Sequence, residues 1–325
     1  MSSLAILIVN WNSGPQLAEC LASLPGALDD SFRLERVIVV DNASTDGSAP
    51  YPVSDRLPLQ LIANRVNRGF AAACNQAAAR CTADYLLFLN PDTRLSKTSL
   101  RAPIAFMEEP ANADVGTLGV QLADADGVVS RTCARALTPG MIIRRILGLD
   151  RLLAARFPSH VMTDWEHGQT RDVDHVTGAF FLVRRELFRA LGGFDERFFV
   201  YLEDLDFSVR SNHAGWRTCY LASTTVFHKS GGSSEQIKAE RLYYSLRSRI
   251  FYASKHFTSC TATAVLLATV GLEFVTRLVR AAARRSIPEA QDTCRAYALL
   301  WRALPTIART AYRLRQAPSA RVSEP

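Results

Sequence analysis

The first hundred residues predict an α/β fold built on a parallel sheet, and three observations carry that reading. Short apolar runs at residues 4–9, 36–40 and 85–89 have the length and composition of buried strands. Each run ends in polar residues: Asn10-Trp11-Asn12, Asp41-Asn42-Ala43-Ser44 and Asn90-Pro91-Asp92. Segments with helical spacing, residues 16–24 and 70–81, lie between the runs. A β-α-β-α-β order makes the strands parallel and gathers the polar residues at their carboxyl ends, where open α/β sheets bind nucleotides.

At 325 residues, 48% of them hydrophobic, the chain has material for one large domain and an appendage. Residues 133–170 interrupt the alternation with a basic, apolar, loosely helical stretch that reads as an insertion over the site. The alternation resumes with a strand-like segment at 180–183 and a helix over 185–191 ended by Gly192-Gly193. The acidic run Tyr201-Leu202-Glu203-Asp204-Leu205-Asp206 follows. Beyond His228 come Gly231-Gly232-Ser233-Ser234, then a helical pattern over 235–315 broken near Pro288 and Pro305, and a frayed end over 316–325. This organisation predicts a catalytic domain over 1–234 and a helical, basic, amphipathic region over 235–325. Internal repeats and low-complexity tracts are absent.

The formal charge of +7 is unevenly placed: residues 229–325 carry +10 and residues 1–228 carry −3. Seven cysteines without CxxC or CxxH spacing suggest neither a zinc site nor a disulfide framework, and a reducing cytoplasm fits them. Residues 4–9 have no basic region before them and no small-residue cleavage site after them, so they read as a first strand and not as a signal peptide. In the tail, residues 257–272 carry no charge and are followed by Glu273, Arg277, Arg280, Arg284 and Arg285. Sixteen uncharged residues fall short of the ~20 that span a bilayer. An amphipathic helix in the interface, its arginines on lipid phosphates, accounts for length and charge; a helix packed on the catalytic domain is the alternative.

Three groups of residues offer chemistry. Asp41, at a strand end before Asn42-Ala43-Ser44-Thr45-Asp46-Gly47-Ser48, is placed to accept a hydrogen bond from a pyrimidine N3–H or a ribose; a helix N-cap would use the same residue types. Asp92, just past a buried strand, is placed for a divalent ion bridging it to a diphosphate, with His228 completing the coordination; a turn and a structural histidine are the alternatives. Glu203 and Asp204 lie between aromatic Phe198, Phe199, Tyr201 and Phe207, where apolar neighbours raise a carboxylate pKa and suit it to act as a base. For Glu203 or Asp206, pairing with Arg197 or Arg210 is an equal reading, and Asp204 is the chosen base. Gly178 would admit an acceptor close to the backbone, and Arg68 stands at a helix start that welcomes phosphate; both also have architectural readings.

Taken together and in order, these motifs resemble glycosyltransferase family 2, in its rhamnosyltransferase-like branch. The resemblance runs through Ile8-Val9-Asn10-Trp11-Asn12-Ser13, Val40-Asp41-Asn42-Ala43-Ser44-Thr45-Asp46-Gly47-Ser48, Asn67-Arg68-Gly69-Phe70 and Leu89-Asn90-Pro91-Asp92-Thr93. It continues through Asp174-His175-Val176-Thr177-Gly178-Ala179, Gly192-Gly193-Phe194-Asp195-Glu196-Arg197-Phe198-Phe199, Glu203-Asp204-Leu205-Asp206-Phe207 and His228-Lys229-Ser230-Gly231-Gly232-Ser233-Ser234, covering roughly the first 235 residues.

The resemblance implies a GT-A fold, that is, a Rossmann-like mixed sheet flanked by helices, and inversion at the anomeric carbon by direct displacement. It also implies a divalent metal, Mg²⁺ or Mn²⁺, on the donor diphosphate. Carried over residue by residue, Asp41 holds the nucleobase, Asp92 and His228 hold the metal, and Asp204 is the base. Asn10, Asn12, Arg68 and Asn90 join the donor site, and Gly178 and Glu203 the acceptor side. Many relatives have an acid two residues before the metal-binding Asp; here Asn90 stands there, able to bond a ribose but supplying less charge to a metal. The absence of a convincing Ser–His or Cys–His arrangement agrees with inversion, which needs no enzyme nucleophile.

The expected donor is dTDP-rhamnose, and the expected acceptor is a polyprenyl-linked or glycan hydroxyl in cell-envelope polysaccharide synthesis. The expected location is peripheral, on the cytoplasmic face of the membrane, and no nucleic acid partner is expected. A UDP-sugar donor is the alternative, since an apolar pocket discriminates one methyl by only about 1–3 kcal/mol. A nucleotidyltransferase would carry a basic Gly-rich loop after the first strand, which Asn10-Trp11-Asn12-Ser13-Gly14-Pro15 is not. A non-catalytic scaffold that binds sugar nucleotide would have no reason to keep Asp92, Asp204 and His228 together.

Overall fold

The computed structural model describes residues 1–48, 57–152, 156–229 and 237–316; the Gly231-Gly232-Ser233-Ser234 segment and the chain beyond residue 316 lie outside the described residues. The chain forms two compact units. One comprises Met1–Arg135, Val161–Glu196 and Glu203–Ser233; the other comprises Ala136–His160, Arg197–Leu202 and Ser234–Pro325. Residues 133–170 are therefore divided, the middle 136–160 belonging to the second unit.

The first unit is a nine-stranded mixed sheet of β1 (Ser3–Asn10), β2 (Arg33–Asp41), β3 (Leu59–Ala63), β4 (Tyr85–Leu89), β5 (Thr93–Arg94), β6 (Val115–Ala123), β7 (Arg171–Asp172), β8 (Phe180–Arg184) and β9 (Arg217–His228). The helices, in chain order, are α1 (Gln16–Ser23), α2 (Phe70–Ala78), α3 (Arg101–Glu108), α4 (Pro139–Leu147), α5 (Leu149–Leu152), α6 (Arg185–Ala190), α7 (Glu203–His213), α8 (Lys238–His256), α9 (Ser259–Leu267), α10 (Glu273–Ala283) and α11 (Ile287–Gln316). The strand order is β3-β2-β1-β4-β8-β6-β9-β5, with β7 also pairing β9. The parallel sheet expected from the first hundred residues holds across β3-β2-β1-β4. It turns mixed at β8, which runs antiparallel to both β4 and β6.

The strands read as continuous apolar runs because both faces are covered. Ile6, Ile8, Val37, Val39, Leu87 and Leu89 pack toward Leu17 and Leu21 of α1 and Ile104 of α3. Their alternates Ala5, Leu7, Val9, Ile38, Val40, Leu86 and Phe88 pack toward Ala73, Cys74 and Ala77 of α2 and toward Phe188 and Phe207. Two strands carried little signal in the sequence. The strand β3 is short and half-exposed at the sheet edge. The strand β6 contains Gly116 and Gly119, which weaken a strand pattern. Both glycines serve packing: a Cβ at 116 would stand 2.3 Å from Leu187 Cδ2, and one at 119 would stand 2.6 Å from Val176 Cβ.

In the second unit, α4 begins with Thr138 capping Met141 N and Pro139 in the first turn, and ends at left-handed Gly148. Its Ile142 and Ile146 share a core with Ala253, Ala262 and Val265. The expected break near Pro288 is seen, α10 ending at Ala283 and α11 beginning at Ile287, whereas none occurs near Pro305. Pro288 sits in the first turn of α11, where the missing N–H has no intrahelical partner, and the helix runs through Pro305 to Gln316. A five-residue π turn, Ala268–Leu272, joins α9 to α10 without a break. The result is one 25-residue helix, Ser259–Ala283, long and apolar enough by length and composition to cross a membrane. It exceeds the uncharged run because helix formation does not stop at Glu273, whose charge is taken up by Arg249 and Arg277. All seven cysteines are unpaired, five of them buried.

The contact at Gly119 gives a test of the sheet packing. Gly119→Ala should destabilise the protein by about 1–3 kcal/mol, because the Val176 side chain has to give way. Thermal or urea unfolding measures it, and an unchanged midpoint would contradict the packing described.

Candidate active site

Strand register assembles the site. Asn10 ends β1 opposite Asp41 at the end of β2. The next strand, β4, ends beside Phe180, so that Asn90 N donates to Ala179 O at 3.0 Å. Thr93 pairs with His228 at the end of β9, and Lys229 N donates to Asp92 O at 3.1 Å. Residues separated by more than 200 positions thereby meet at one end of the sheet.

At the β1–β2 end, Asn10 is fully buried and its amide donates to Asp41 Oδ1 (2.9 Å), Ser44 Oγ (3.1 Å) and Ser48 Oγ (3.0 Å). Ser13 Oγ donates to the Asn10 Oδ1 atom. Ser44 donates to Asp41 through both its hydroxyl and its backbone N–H. Asn10 is thus committed to orienting Asp41. Asn12, in the left-handed region at φ 49°, accepts Thr45 N at 2.7 Å and fixes the same loop. Asn42 extends the network: its Oδ1 accepts from Arg68 N and Asn64 Nδ2, and its Nδ2 donates to Asn67 Oδ1 and Gly69 O. Arg68 is exposed immediately before α2, and its guanidinium engages no partner among the described residues. A free cation next to a helix start is a suitable place for phosphate.

Asp92 and His228 face each other, with Oδ1 and Nε2 3.3 Å apart. Asp92 Oδ1 is buried and accepts no hydrogen bond. An orphaned carboxylate oxygen beside an imidazole fits two ligands of a divalent ion. Among the described residues no cluster of three or more His, Cys, Asp or Glu side chains converges, so further coordination would come from a substrate's oxygens. Asn90, the neutral residue two before Asp92, is half-buried.

The two acids at the start of α7 have different fates. Asp204 keeps 19% of its side chain exposed, with Oδ2 accepting Gly178 N at 2.9 Å and lying 3.6 Å from His175 Nε2. Oδ1 accepts Leu205 N. A Cβ at Gly178 would stand 3.1 Å from Asp204 Oδ2, so a larger residue would push this carboxylate by a few tenths of an ångström. Glu203 is buried, and its Oε2 lacks a partner. Burial, then the charge of Asp204, pushes its carboxyl well above the usual range. Asp206, not Glu203, pairs with Arg210 (2.8 Å), which also donates to Leu191 O and Gly193 O and so ties α7 to the Gly192-Gly193 turn.

The structure adds residues that sequence reading missed. His175, buried, meets Ser208 Oγ through Nδ1 at 3.0 Å and turns its other nitrogen to Asp204. Burial lowers its pKa against the opposing pull of Asp204 and Asp174, which favours the neutral imidazole. A Ser–His–Asp array therefore exists, but Ser208 is fully buried and is no nucleophile. Ser208 lies one helical turn after Asp204 and His175 three residues before Gly178, which is the signal that spacing offered.

The Glu203 shift has a stability consequence. As pH rises past the usual glutamate range, the unfolded chain gives up this proton while the folded chain keeps it, so stability falls until the raised folded pKa is reached. Glu203→Gln should remove that loss and be at least as stable as wild type at neutral pH. Unfolding curves across pH measure this; a variant whose pH slope matches the wild type would contradict the burial of Glu203 as an acid.

Comparison with known proteins shows the family. The family model described as Glycosyl transferase family 2 matches residues 5–192. The chain is 31% identical over 271 residues to an N-acetylglucosaminyl-diphospho-decaprenol L-rhamnosyltransferase of Mycobacterium tuberculosis, covering 78% of this chain and 85% of that protein. It is 25% identical to the rhamnosyltransferase WbbL of Escherichia coli, over 53% of this chain and 62% of the other. Among solved structures, a mannosyltransferase of Pyrobaculum calidifontis in complex with GDP-Man and Mn²⁺ superposes with a TM-score of 0.51 at 18% identity, covering 97% and 87% of the two chains. Staphylococcus aureus TarS 1–349 in complex with UDP-GlcNAc does so with a TM-score of 0.51 at 17% identity, over 96% and 82%. In its fold, its motifs and its ordered strand ends, the chain belongs to glycosyl transferase family 2.

Proposed function

We propose that the protein transfers rhamnose from dTDP-rhamnose, with inversion, to a hydroxyl of a polyprenyl-linked glycan acceptor in cell-envelope polysaccharide synthesis. The observation that carries the reaction is Asp204, an accessible carboxylate whose Oδ2 is aimed by Gly178 N–H and His175 while its neighbour Glu203 is buried. The donor and acceptor are proposed from the rhamnosyltransferases among the relatives, one of which is named for a diphospho-decaprenol-linked acceptor.

In this mechanism Asp41, locked by Asn10 and Ser44, binds the base or ribose. Arg68 lies against the diphosphate. Asp92 and His228 would hold Mg²⁺ or Mn²⁺, which supplies positive charge against the leaving diphosphate. Asp204 accepts the proton of the acceptor hydroxyl as that oxygen attacks C1 on the face opposite the nucleotide. The bond from C1 to the diphosphate oxygen breaks, and the nucleoside diphosphate leaves.

The membrane is the proposed location of the acceptor. On the Ser259–Ala283 helix, Leu267, Gly271, Val275 and Val279 repeat every four residues and are all exposed, with Arg284 and Arg285 beyond them. An apolar stripe ending in arginines suits a helix lying in the interface of an anionic bilayer. Glu273 and Arg277, on the opposite face, are ion-paired inside the unit, which favours peripheral attachment over crossing.

Two measurements test these readings. Wild type should release nucleoside diphosphate from dTDP-rhamnose in a metal-dependent way when supplied with membrane extract, and Asp204→Asn should lose at least about a hundredfold of that rate. Turnover with a UDP-sugar but none with dTDP-rhamnose would reject the rhamnose assignment; equal rates for the variant and wild type would reject Asp204 as base. Wild type should also float with phosphatidylglycerol vesicles at low salt, and Val275→Asp with Val279→Asp should stay in the soluble fraction. Failure of wild type to float would remove the membrane reading.

A further inference from the structure

The last helix, α11, has an outer face that neither the packing of the second unit nor the transfer reaction uses. Its inner face, which includes Ala296, Leu300, Ile307, Ala311 and Leu314, is buried, and the helix packs along α8. The α9–α10 helix also packs on α8 and runs beside α11. Tyr297 Oη donates to Thr269 O at 2.9 Å, and Trp301 Nε1 donates to Val270 O at 3.2 Å while its ring meets that of Phe274 at 5.0 Å. Two helices side by side on a third turn their outer faces the same way. The outer face of α11 therefore continues the surface on which Leu267, Gly271, Val275 and Val279 are exposed.

That face has an ordered composition. Arg295, Arg302 and Arg309 recur every seven residues, nearly two turns, and form one exposed row. Trp301 and Tyr312, about three turns apart, form a second row roughly a quarter turn away. They are 44% and 61% exposed, and the bond from Trp301 to Val270 puts their row on the side toward α10. Acids do not balance the arginines: residues 293–316 include five Arg and no Asp or Glu. The guanidinium groups of Arg295, Arg302 and Arg309 form no hydrogen bond or ion pair among the described residues. A helix that only meets water usually interleaves charges of both signs. Apolar stripe, aromatic row and cationic row follow one another here in the order in which a bilayer presents acyl chains, headgroup boundary and anionic surface.

We propose that α11 lays this face on an anionic bilayer beside the α9–α10 helix, with Trp301 and Tyr312 at headgroup level and Arg295, Arg302 and Arg309 on the negative surface charge. The inference deepens the membrane reading and rests on it, and it adds that selectivity for anionic lipid resides in α11 and not in the stripe. A nucleic acid would use the arginines but not the aliphatic stripe beside them. A second copy of the chain would set like charge against like charge.

The test uses the full chain with vesicles of phosphatidylcholine, alone or mixed with phosphatidylglycerol. Changing Arg295, Arg302 and Arg309 together to Gln should weaken binding to the mixed vesicles about a hundredfold at low salt, about fivefold for each arginine, and leave binding to pure phosphatidylcholine unchanged. The difference should shrink as salt is added. Mixed vesicles with brominated acyl chains should quench the wild-type tryptophan fluorescence, and part of that quenching should be missing from Trp301→Phe. Because the three guanidinium groups have no partners to lose, the Gln variant should melt at the wild-type temperature; a lower one would show that the fold itself uses them and would overturn the proposal. Equal binding of variant and wild type to mixed vesicles, or a Trp301 that stays unquenched, would overturn it and leave the stripe's attachment standing, whereas a wild type that binds no vesicle removes both. Arginine-dependent binding to a single-stranded oligonucleotide with none to vesicles, or a wild-type dimer that the Gln variant disperses, would also overturn it.

Discussion

Covering both faces of the β3-β2-β1-β4 sheet is the constraint on which the rest of the first unit depends. Side chains that alternate along β1, β2 and β4 all enter core, one set toward α1 and α3 and the other toward α2, Phe188 and Phe207. Polar chemistry has no place along such strands, since a buried polar group without a partner costs stability. It is displaced to the strand ends, where Asn10, Asp41, Asn90 and Asp92 follow the last apolar residue of each run. The reversal at β8 then brings Gly178 and Ala179 to the same end, and the pairing of β5 with β9 brings His228 beside Asp92. The site is a consequence of where the core stops.

Within that site, placement separates two chemically similar acids. Glu203 and Asp204 are adjacent at the start of α7, and a helix start favours negative charge at both. One residue of rotation puts Glu203 into the protein, where desolvation holds its proton, and leaves Asp204 partly in solvent with a backbone N–H fixed on one oxygen. Tyr201 and Leu202, both left-handed, precede the helix at φ 69° and 67°. Two successive non-glycine residues in that region are strained, and such strain is kept where the surrounding structure holds it in place. Here it falls immediately before Glu203, one residue ahead of Asp204, which is proposed to accept the proton.

What the sequence made legible follows from the range of the forces involved. The strands β1, β2 and β4 and the helices between them were readable because apolar period and chain-end polarity are local. The strands β3 and β6 were not: β3 is a short edge strand, and the glycines of β6 exist to admit Leu187, Trp216 and Val176 from distant segments. Asp92 and His228 were paired in the sequence only as prospective metal ligands, and the structure brings their side chains to 3.3 Å. His175 and Ser208 were missed because a buried histidine has no distinctive spacing until its partner is seen. In the tail, the length of the helix was underread, since Glu273 looks like a charge that ends an apolar run when it is in fact satisfied by Arg249 and Arg277.

The charge distribution bears on the metal as well. Residues 1–228 carry a formal −3, and the candidate site itself presents Asp41, Asp92 and Asp204. The diphosphate of a sugar nucleotide is itself anionic, and Arg68 offers an exposed guanidinium with no side-chain partner among the described residues. Asn90 leaves the Asp92 position less negative than an acid would, which weakens the hold on an ion before substrate arrives and matters less once diphosphate oxygens complete its coordination. Under the proposed mechanism this would favour a cation that arrives with the donor at Asp92 and His228 over one bound beforehand. Asp92 Oδ1, buried without a hydrogen bond, is the atom that such an arrival would satisfy.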